Sequence, residues 1–482
     1  MKIAIAYPPL VSPKGAPLLS QNRQFQWFNR PTYIYPVVPA CAATMLAKAG
    51  HDVLWMDAIS ARQSEREFIA ELGEARPDLV MLETKTPVFS MTCDWVRALR
   101  RAVPDMKIAL VGDHVTAMPA EAMDKSEADF LLTGGDYDFL LLNLVEHIDG
   151  GKELEPGVWY RDADGAVHDT GPFRLDHDLS TLPRIDRDLT CWKRYSVHNG
   201  NYRRTPGAYI MAGRDCWHGR CTFCSWTTLY PKYRTRTPES VVDEIQELVE
   251  RHGVREVMDD TGCFPVGDWL RRFCNLMIER GLNKRIYFDC NMRFGALSAD
   301  DYALMKKAGF RFVLFGLESA NQATLDRVNK KLTVEQIREG ARLAAEAGLD
   351  VHVTVMLGYP WETSEDIART VALARELLAS GWAYTLQATR LIPYPGTPLF
   401  RECDEKGLLL TKRWEDYDMR SAVMRTPVSD DEIRCAIRSI YHGFLTPRAL
   451  WNRLRNTRHP LEDAGFYFRG LLSLLGHLKD FK

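Results

Sequence analysis

The chain has 482 residues, with 62 Lys and Arg against 64 Asp and Glu, and a formal net charge of −2. That balance gives no electrostatic case for nucleic acid as the main partner. The length and an ordinary soluble globular composition allow two or three domains with large cores. No run of about 18 or more apolar residues occurs, so no transmembrane segment is expected, and the first residues read as a strand rather than a signal peptide. The cysteine count is 11, an odd number, and most are scattered. A secreted disulfide framework is therefore disfavoured and a reducing cytoplasm is expected.

Residues 1–148 alternate short apolar runs with helical patterns. Strands are predicted over 2–7, 53–57, 78–82, 107–112 and 129–132, and helices over 39–50, 65–75 and 92–103. Strands separated by helices of this length imply a parallel, doubly wound (Rossmann-like) sheet. Ligands of such sheets bind beyond the carboxyl ends of the strands, where turns fall at 7–9, 85–87, 112–116 and 133–136. No Gly-x-Gly-x-x-Gly follows the first strand, which disfavours a dinucleotide. A large flat cofactor across the sheet edge stays open. The aromatic segment 25–35 is expected to pack, over a cofactor or against the second domain.

Residues 149–206 are read as a linker, with a small hairpin over 158–168 turning at Asp164-Gly165. From 207 to 400 the alternation resumes. Strands are predicted over 208–212, 256–259, 285–291, 310–317, 350–357 and 383–391, with helices over 238–252, 268–280, 299–308, 334–347 and 364–379. Six βα units are too few for a closed eight-stranded barrel, so an open, partial (β/α)6 barrel is expected.

Cys216, Cys221 and Cys224 follow the first of these strands directly. Three thiolates from one loop can converge on a soft metal centre, at the strand end where βα folds put chemistry. A mononuclear tetrahedral zinc site would want a fourth ligand, and His218, inside the tight loop, is badly placed to reach the same metal. On a [4Fe–4S] cluster, three protein ligands leave one iron open to a small molecule. Residues 401–482 read as a helical C-terminal region, basic at Arg434, Arg438, Arg448, Arg453, Arg455 and Arg458. Its apolar run at 466–476 is too short to span a bilayer. A helical cap on the barrel is the plain reading, a membrane-surface or greasy-substrate contact the other.

The cysteine loop, the partial barrel and the preceding doubly wound domain together resemble the cobalamin-binding radical S-adenosylmethionine enzymes. Segments at 233–245, 315–322, 356–363 and 394–399 are similar to that family's post-cluster and strand-end signatures, and 111–119 to the turn of its corrinoid domains. The stretch 83–89 and the linker look most like the hopanoid-biosynthesis and anaerobic porphyrin-cyclase branches. Two departures stand out. Four residues separate Cys216 from Cys221 where the family has three, and no Asp-x-His-x-x-Gly corrinoid motif is present. Cobalamin is accordingly expected without a histidine below the cobalt.

The resemblance implies residue roles. Cys216, Cys221 and Cys224 would ligate the cluster, with Phe223 and Trp226 shielding it. For S-adenosylmethionine, Asp259 and Asp260 are candidates for the methionine amine, Arg293 for its carboxylate and Glu318 for the ribose hydroxyls. Gly358 and the Pro360-Trp361 turn would admit the adenine, while Gln387, Arg390 and Tyr394 are candidates on the cofactor or substrate side. Around cobalamin, Thr84, Thr86, Gly112, His114, Thr116, Gly134 and Gly135 offer small residues for close approach of the ring and hydroxyls for its amides.

The expected activity is reductive cleavage of S-adenosylmethionine to a 5′-deoxyadenosyl radical that abstracts hydrogen from an unactivated carbon, followed by methyl transfer from methylcobalamin. Ring contraction or oxidative cyclisation with the same cofactors is the alternative. A non-catalytic corrinoid or iron–sulfur binding protein is the alternative of another class. The expected partners are a lipid-like or macrocyclic small-molecule substrate and an electron donor such as flavodoxin or ferredoxin, in the cytoplasm or at a membrane surface.

Overall fold

The computed structural model describes residues 1–17, 19, 25–28 and 32–447, together with 451, 465, 466 and 468. The arginines at 448, 453, 455 and 458, most of the apolar run at 466–476, and residues 29–31 of the aromatic segment lie outside the described residues.

Seven strands form the first sheet, in the order Asp52–Asp57, Lys2–Tyr7, Leu79–Glu83, Lys107–Val111, Phe130–Leu132, Val158–Arg161, Val167–Asp169. The first five run parallel. The last two are the hairpin read in the linker, and they pair antiparallel onto the sheet edge. Both faces of the parallel strands are covered, so they read as continuous apolar runs. Ile3 and Ile5 point into a core shared with the barrel. Ala4 and Ala6 point into a second core that includes Ile392, Tyr394, Trp414 and Tyr417 from beyond the barrel. The chain thus wraps back onto its first domain after finishing its second.

Strand order reverses between Lys2–Tyr7 and Leu79–Glu83, and such a reversal opens a crevice at the strand ends. Two short helices, Asp113–Ala117 and Pro119–Lys125, occupy a stretch read from sequence as a turn. Elements of five and seven residues are too short to show a periodicity.

The second sheet holds six parallel strands in sequence order: Gly207–Ile210, Glu256–Asp259, Tyr287–Met292, Phe310–Glu318, Asp350–Leu357 and Thr385–Arg390. This is the open partial barrel the strand count requires. Its helices begin on side-chain caps, such as Ser298 with Asp301 and Thr363 with Asp366, which satisfy otherwise unpaired N–H groups. Helix Asp430–His442 packs against the last strand, with the Tyr441 hydroxyl bonded to the Ala388 carbonyl at 3.0 Å.

At the amino-terminal end of the barrel, Arg311 is buried among three carboxylates. It reaches Glu256 at 2.7 Å, Asp289 at 2.8 Å and Asp350 at 3.3 Å. Burial opposes its charge, but the three acids outweigh it and raise its pKa. Removing the cation would leave Glu256 and Asp289 buried and unpaired. The expected cost of Arg311→Met is therefore about 3–5 kcal/mol of stability, read as a lower urea midpoint with an unchanged slope.

Candidate functional site

The cysteine loop is held from three sides. Its entry is fixed by Asp259 at the end of the second barrel strand, which accepts the Ala212 N–H at 2.6 Å and that of Thr261 at 3.0 Å. Burial pushes the Asp259 carboxyl up to about 7. Both of its oxygens thus take part in holding backbone at the loop's entry. Asp260 is buried beside it. On the second side, the turn at 328–331 meets the loop: Thr222 N–H bonds to Val328 O at 3.1 Å and the His218 ring to Asn329 O at 2.8 Å. The His218 ring is thereby engaged with backbone.

The third side is the interface with the first domain. Arg214, immediately before the loop, is buried and pairs with Asp136 at 3.0 Å and with both oxygens of Asp138. Arg234 forks onto Asp136 with two 2.7 Å bonds. His177 adds a 3.1 Å contact to Asp136 and a 2.9 Å contact to Glu155. Burial opposes the Asp136 charge, yet His177, Arg234 and Arg214 hold its pKa far below the usual carboxylate range. The same contact with Asp136 raises His177.

Within the loop the three thiols feel one another electrostatically, and each is half-buried. The Cys216 thiol is lowered to about 6, first by a hydrogen bond from Cys263 and, against burial, by the N–H groups of Gly219 and His218. Burial pushes Cys221 up to about 11 and Cys224 well above its ordinary value. Lys330 and Arg293 stand near enough to favour the thiolates. Phe223, Met356, Tyr359 and Leu391 form an apolar packing around Cys221 and Cys224. A [4Fe–4S] cluster takes one thiolate at each of three irons, so its ligands need not converge on one point, and among the described residues no three donors do. Sulfur donors, nearby cations and an apolar wrap suit that cluster.

Glu318 ends the fourth barrel strand at φ 66°, after a register shift in the pairing with the fifth. This left-handed backbone is rare for a residue with a side chain. Its carboxylate is bonded to the buried Lys330 at 2.6 Å. Gly316 makes the pair possible, since a Cβ there would stand 2.0 Å from Glu318 Oε1. Lys330 and Cys263 are the residues that sequence reading missed. Lys330 sits in a turn with no motif of its own, and Cys263 was counted among the scattered cysteines.

Below the cluster loop, alternate residues of three strands stand in register. Leu314, His352 and Thr385 make one layer, and Gly316, Thr354 and Gln387 the next. All six are half-exposed, whereas Val313, Phe315, Val351, Val353 and Leu386 on the other face are buried. The open side of these strands is therefore the barrel lumen, and Gln387 faces it. The other candidates differ. Tyr394 donates its hydroxyl to Tyr417 O at 3.0 Å within the second core, and Arg390 pairs with Asp430. Gly358, at φ 90°, points its missing Cβ toward Ile433. Arg293 bonds to the carbonyls of Lys330 and Lys331 through one nitrogen and lies near the Trp217 ring, so it braces the turn.

In the first domain, Thr84, Thr86, Gly112 and Thr116 gather at the carboxyl ends of the third and fourth strands. Thr84 bonds Thr92 at 2.8 Å, and Thr116 accepts the Gly134 N–H at 3.0 Å. Gly112 is needed because a Cβ there would lie 2.1 Å from Thr84 O. His114 Nδ1 lies 3.3 Å from the Thr86 hydroxyl oxygen. It is buried against Phe89, with Trp414 on another side, and burial lowers its pKa to about 4. Gly134 and Gly135 are covered by the rings of Phe173 and Tyr230, which a Cβ at either would strike. Nearby polar atoms lack hydrogen-bond partners: Glu83 Oε1, Asp113 Oδ1, His114 Nε2 and the Tyr137 hydroxyl. Burial raises Glu83 to about 7. Such orphaned atoms at a sheet's switch point fit a cofactor rich in amide groups.

A B12 binding domain model matches residues 29–137, and a radical SAM superfamily model matches residues 210–374. The chain is 28% identical over 450 residues to the anaerobic magnesium-protoporphyrin IX monomethyl ester cyclase of Cereibacter sphaeroides, covering 89% of this chain and 69% of that protein. It is 23% identical to the hopanoid C-3 methylase of Methylococcus capsulatus, covering 91% and 81%. In fold it is similar to the cobalamin-dependent S-adenosylmethionine radical enzyme OxsB, with a TM-score of 0.71 at 14% identity over 99% of this chain and 71% of that one. The radical methyltransferase TsrM of Kitasatospora setae gives a TM-score of 0.66 at 18% identity, over 84% and 78%.

With a B12-binding domain followed by a radical SAM domain, the chain belongs to the cobalamin-binding radical S-adenosylmethionine enzymes. Its cofactors are a [4Fe–4S] cluster, S-adenosylmethionine and cobalamin, and its chemistry is radical. A non-catalytic carrier is thereby set aside. A small-molecule substrate and a reductant complete the requirements of that chemistry. Among the described residues no helix is long and apolar enough to cross a membrane.

The clamp at Asp136 should show in the pH dependence of stability. Asp136 is depressed, so its contribution is present above the ordinary carboxylate range and lost as acid titrates it. His177 is raised, so its contribution is complete below the ordinary imidazole value and lost as pH rises through the raised one. Urea midpoints should therefore fall as pH climbs above the ordinary imidazole range, and His177→Gln should flatten that limb. Arg214→Met, which strands Asp138, should cost about 3–5 kcal/mol at any pH between the two limbs.

Proposed function

We propose that the protein is a radical methyltransferase acting on an unactivated carbon of a largely apolar small molecule, with Cys216, Cys221 and Cys224 holding the cluster. The carrying observation is the Arg214 clamp, which ties the residue before the cysteine loop to the Gly134–Asp138 turn of the B12-binding domain. Two cofactor-bearing edges fixed against each other suit a reaction that passes a substrate radical from one to the other. The cluster supplies the electron that cleaves S-adenosylmethionine, and the protein supplies placement and tuning.

Glu318 is assigned to the ribose, for which Lys330 must share or release one carboxylate oxygen. Thr84, Thr86, Gly112 and Thr116 are assigned to cobalamin, with Glu83 and Tyr137 supplying polar atoms that lack other partners. Gln387 and the lumen layers are assigned to substrate. Those layers offer hydroxyl, amide and imidazole groups beside Leu314, without a carboxylate among them, which suits a lipid or a macrocycle. The names of the two relatives, a hopanoid methylase and a magnesium-porphyrin ester cyclase, support the same classes. A small flavodoxin or ferredoxin is assigned as electron donor, and eleven free cysteines support a reducing cytoplasm.

Oxidative cyclisation is the second reading, favoured by the 89% of this chain that aligns with the cyclase. Trideuteromethyl S-adenosylmethionine separates the two. Anaerobically reconstituted protein is incubated with a panel of hopanoids and tetrapyrroles, and the products are weighed by mass spectrometry. Methyl transfer requires the label in product. Deoxyadenosine formed with an unlabelled, dehydrogenated product would replace it with cyclisation. Cys224→Ala should abolish deoxyadenosine release, and undiminished release would end both readings.

A further inference from the structure

The cysteine loop is covered on the domain side by the Arg214 clamp and on another by the turn after the second barrel strand, where a Cβ at Gly262 would stand 2.1 Å from Asp215 Oδ1. Its outward side is different. Residues 217–220 bring the loop to the surface, with Arg220 exposed. The Asn329 amide donates to the Arg220 carbonyl at 3.1 Å, joining the loop to the 328–331 turn, where Lys331 is exposed. The Thr222 carbonyl accepts the Leu399 N–H at 2.9 Å, so helix Pro398–Glu405 borders the loop as well. Trp361, half-buried, packs against the same apolar group as Cys221 and Cys224. The Arg327 guanidinium stands 3.9 Å from the centre of its ring. Positive charge prevails on this face. Glu402 serves two cations, Arg327 at 2.7 Å and Lys406 at 2.6 Å, and Asp326 accepts the Gln322 amide. Arg401 and Glu405, on the same short helix, offset each other. Arg220 and Lys331 have no carboxylate partner among the described residues. A chain of net charge −2 thus turns a cationic face outward where its clustered thiols lie beneath one layer of side chains.

We infer that the face formed by Arg220, Arg327 and Lys331 about Trp361 is the docking surface for a small acidic one-electron carrier protein. This rests on the assignment of Cys216, Cys221 and Cys224 as cluster ligands, and it adds where the required reductant binds. In the step served, the carrier is oxidised by one electron and the cluster accepts it. Cations at the rim of a contact speed the encounter with an oppositely charged partner. Electron-transfer complexes bury little surface, so a few residues suffice. The carboxylates interspersed on the face suit a protein, which has charges of both signs, better than a uniformly anionic lipid surface.

The test mixes chemically reduced flavodoxin, as the acidic probe, with anaerobically reconstituted wild type and with an Arg220→Glu, Lys331→Glu double variant by stopped flow. Association with the variant should be about tenfold slower at low salt, and the difference should shrink as salt screens it. Photoreduction by deazariboflavin, which is uncharged, should proceed as in wild type. Arg327→Gln, which leaves the cysteine loop untouched, should slow association in the same salt-dependent way. Lys284→Glu with Arg285→Glu, exposed at the amino-terminal end of the barrel, should behave as wild type. Unchanged association in both patch variants overturns the inference, and so does equal slowing by the Lys284 and Arg285 pair. Wild-type binding to phosphatidylglycerol vesicles that the double variant loses, with flavodoxin unaffected, would assign the face to a membrane and overturn it too. A wild type without a four-iron cluster would instead bring down the ligand assignment. Docking is read separately from it, by surface plasmon resonance of oxidised flavodoxin on cluster-free protein, where failure to bind overturns the docking surface alone.

Discussion

The two halves of this protein are joined by a buried knot of charge. Arg214 and Arg234 come from two short strands paired antiparallel on either side of the cysteine loop, Asp136 and Asp138 from the start of a helix in the B12-binding domain. Buried ions are costly to bring out of water, and each is tolerable only while its partners remain in place. The relative position of the domains is therefore specified at the residue that leads into Cys216. Apolar packing between the domains adds strength, but it is non-directional and would permit sliding. Here the hydrogen-bond directions of two guanidinium forks do the fixing.

From that anchor the rest of the site follows by short connections. The cysteine loop is pressed between the Thr261–Cys263 turn and the 328–331 turn, and the latter carries Lys330 to Glu318. The left-handed backbone of Glu318 is sustained by what surrounds it: the bulge in the strand, the missing side chain at Gly316 and the Lys330 ion pair. Strained conformations persist where the surroundings over-determine them, and such places concentrate at ligand sites. The apolar wrap about Cys221 and Cys224 is the burial that pushes both thiols up. Positive charge from Lys330 and Arg293 lowers the cost of deprotonating them when iron is offered.

Several polar residues at strand ends tie the scaffold together. Asp259 holds the entry of the loop, Arg390 caps the region where helix Asp430–His442 begins, and Tyr394 is tied to Tyr417 in a core belonging to the other domain. Their positions at the carboxyl ends of strands made them candidates, since that is where βα folds collect ligands. The same positions are also where a partial barrel must tie its loops together, and a carboxylate or hydroxyl serves both purposes. Which purpose prevails depends on the neighbours, and these come from parts of the chain far away in sequence.

Local pattern alone determined the main strand succession and many of the longer helices, the doubly wound sheet, the open barrel of six units and the three clustered thiols. Each of these is written in spacings of a few residues: apolar runs bounded by turns, the helical period, and three cysteines within one loop. Tertiary structure decided what depends on distant encounters. The burial of His114 beneath Phe89 and the engagement of Glu318 by Lys330 are examples. The seating of Asp136 between Arg214 and Arg234 is another. Period and propensity act along a single stretch of chain, whereas hydrogen bonds and desolvation act between whichever groups the completed fold brings together.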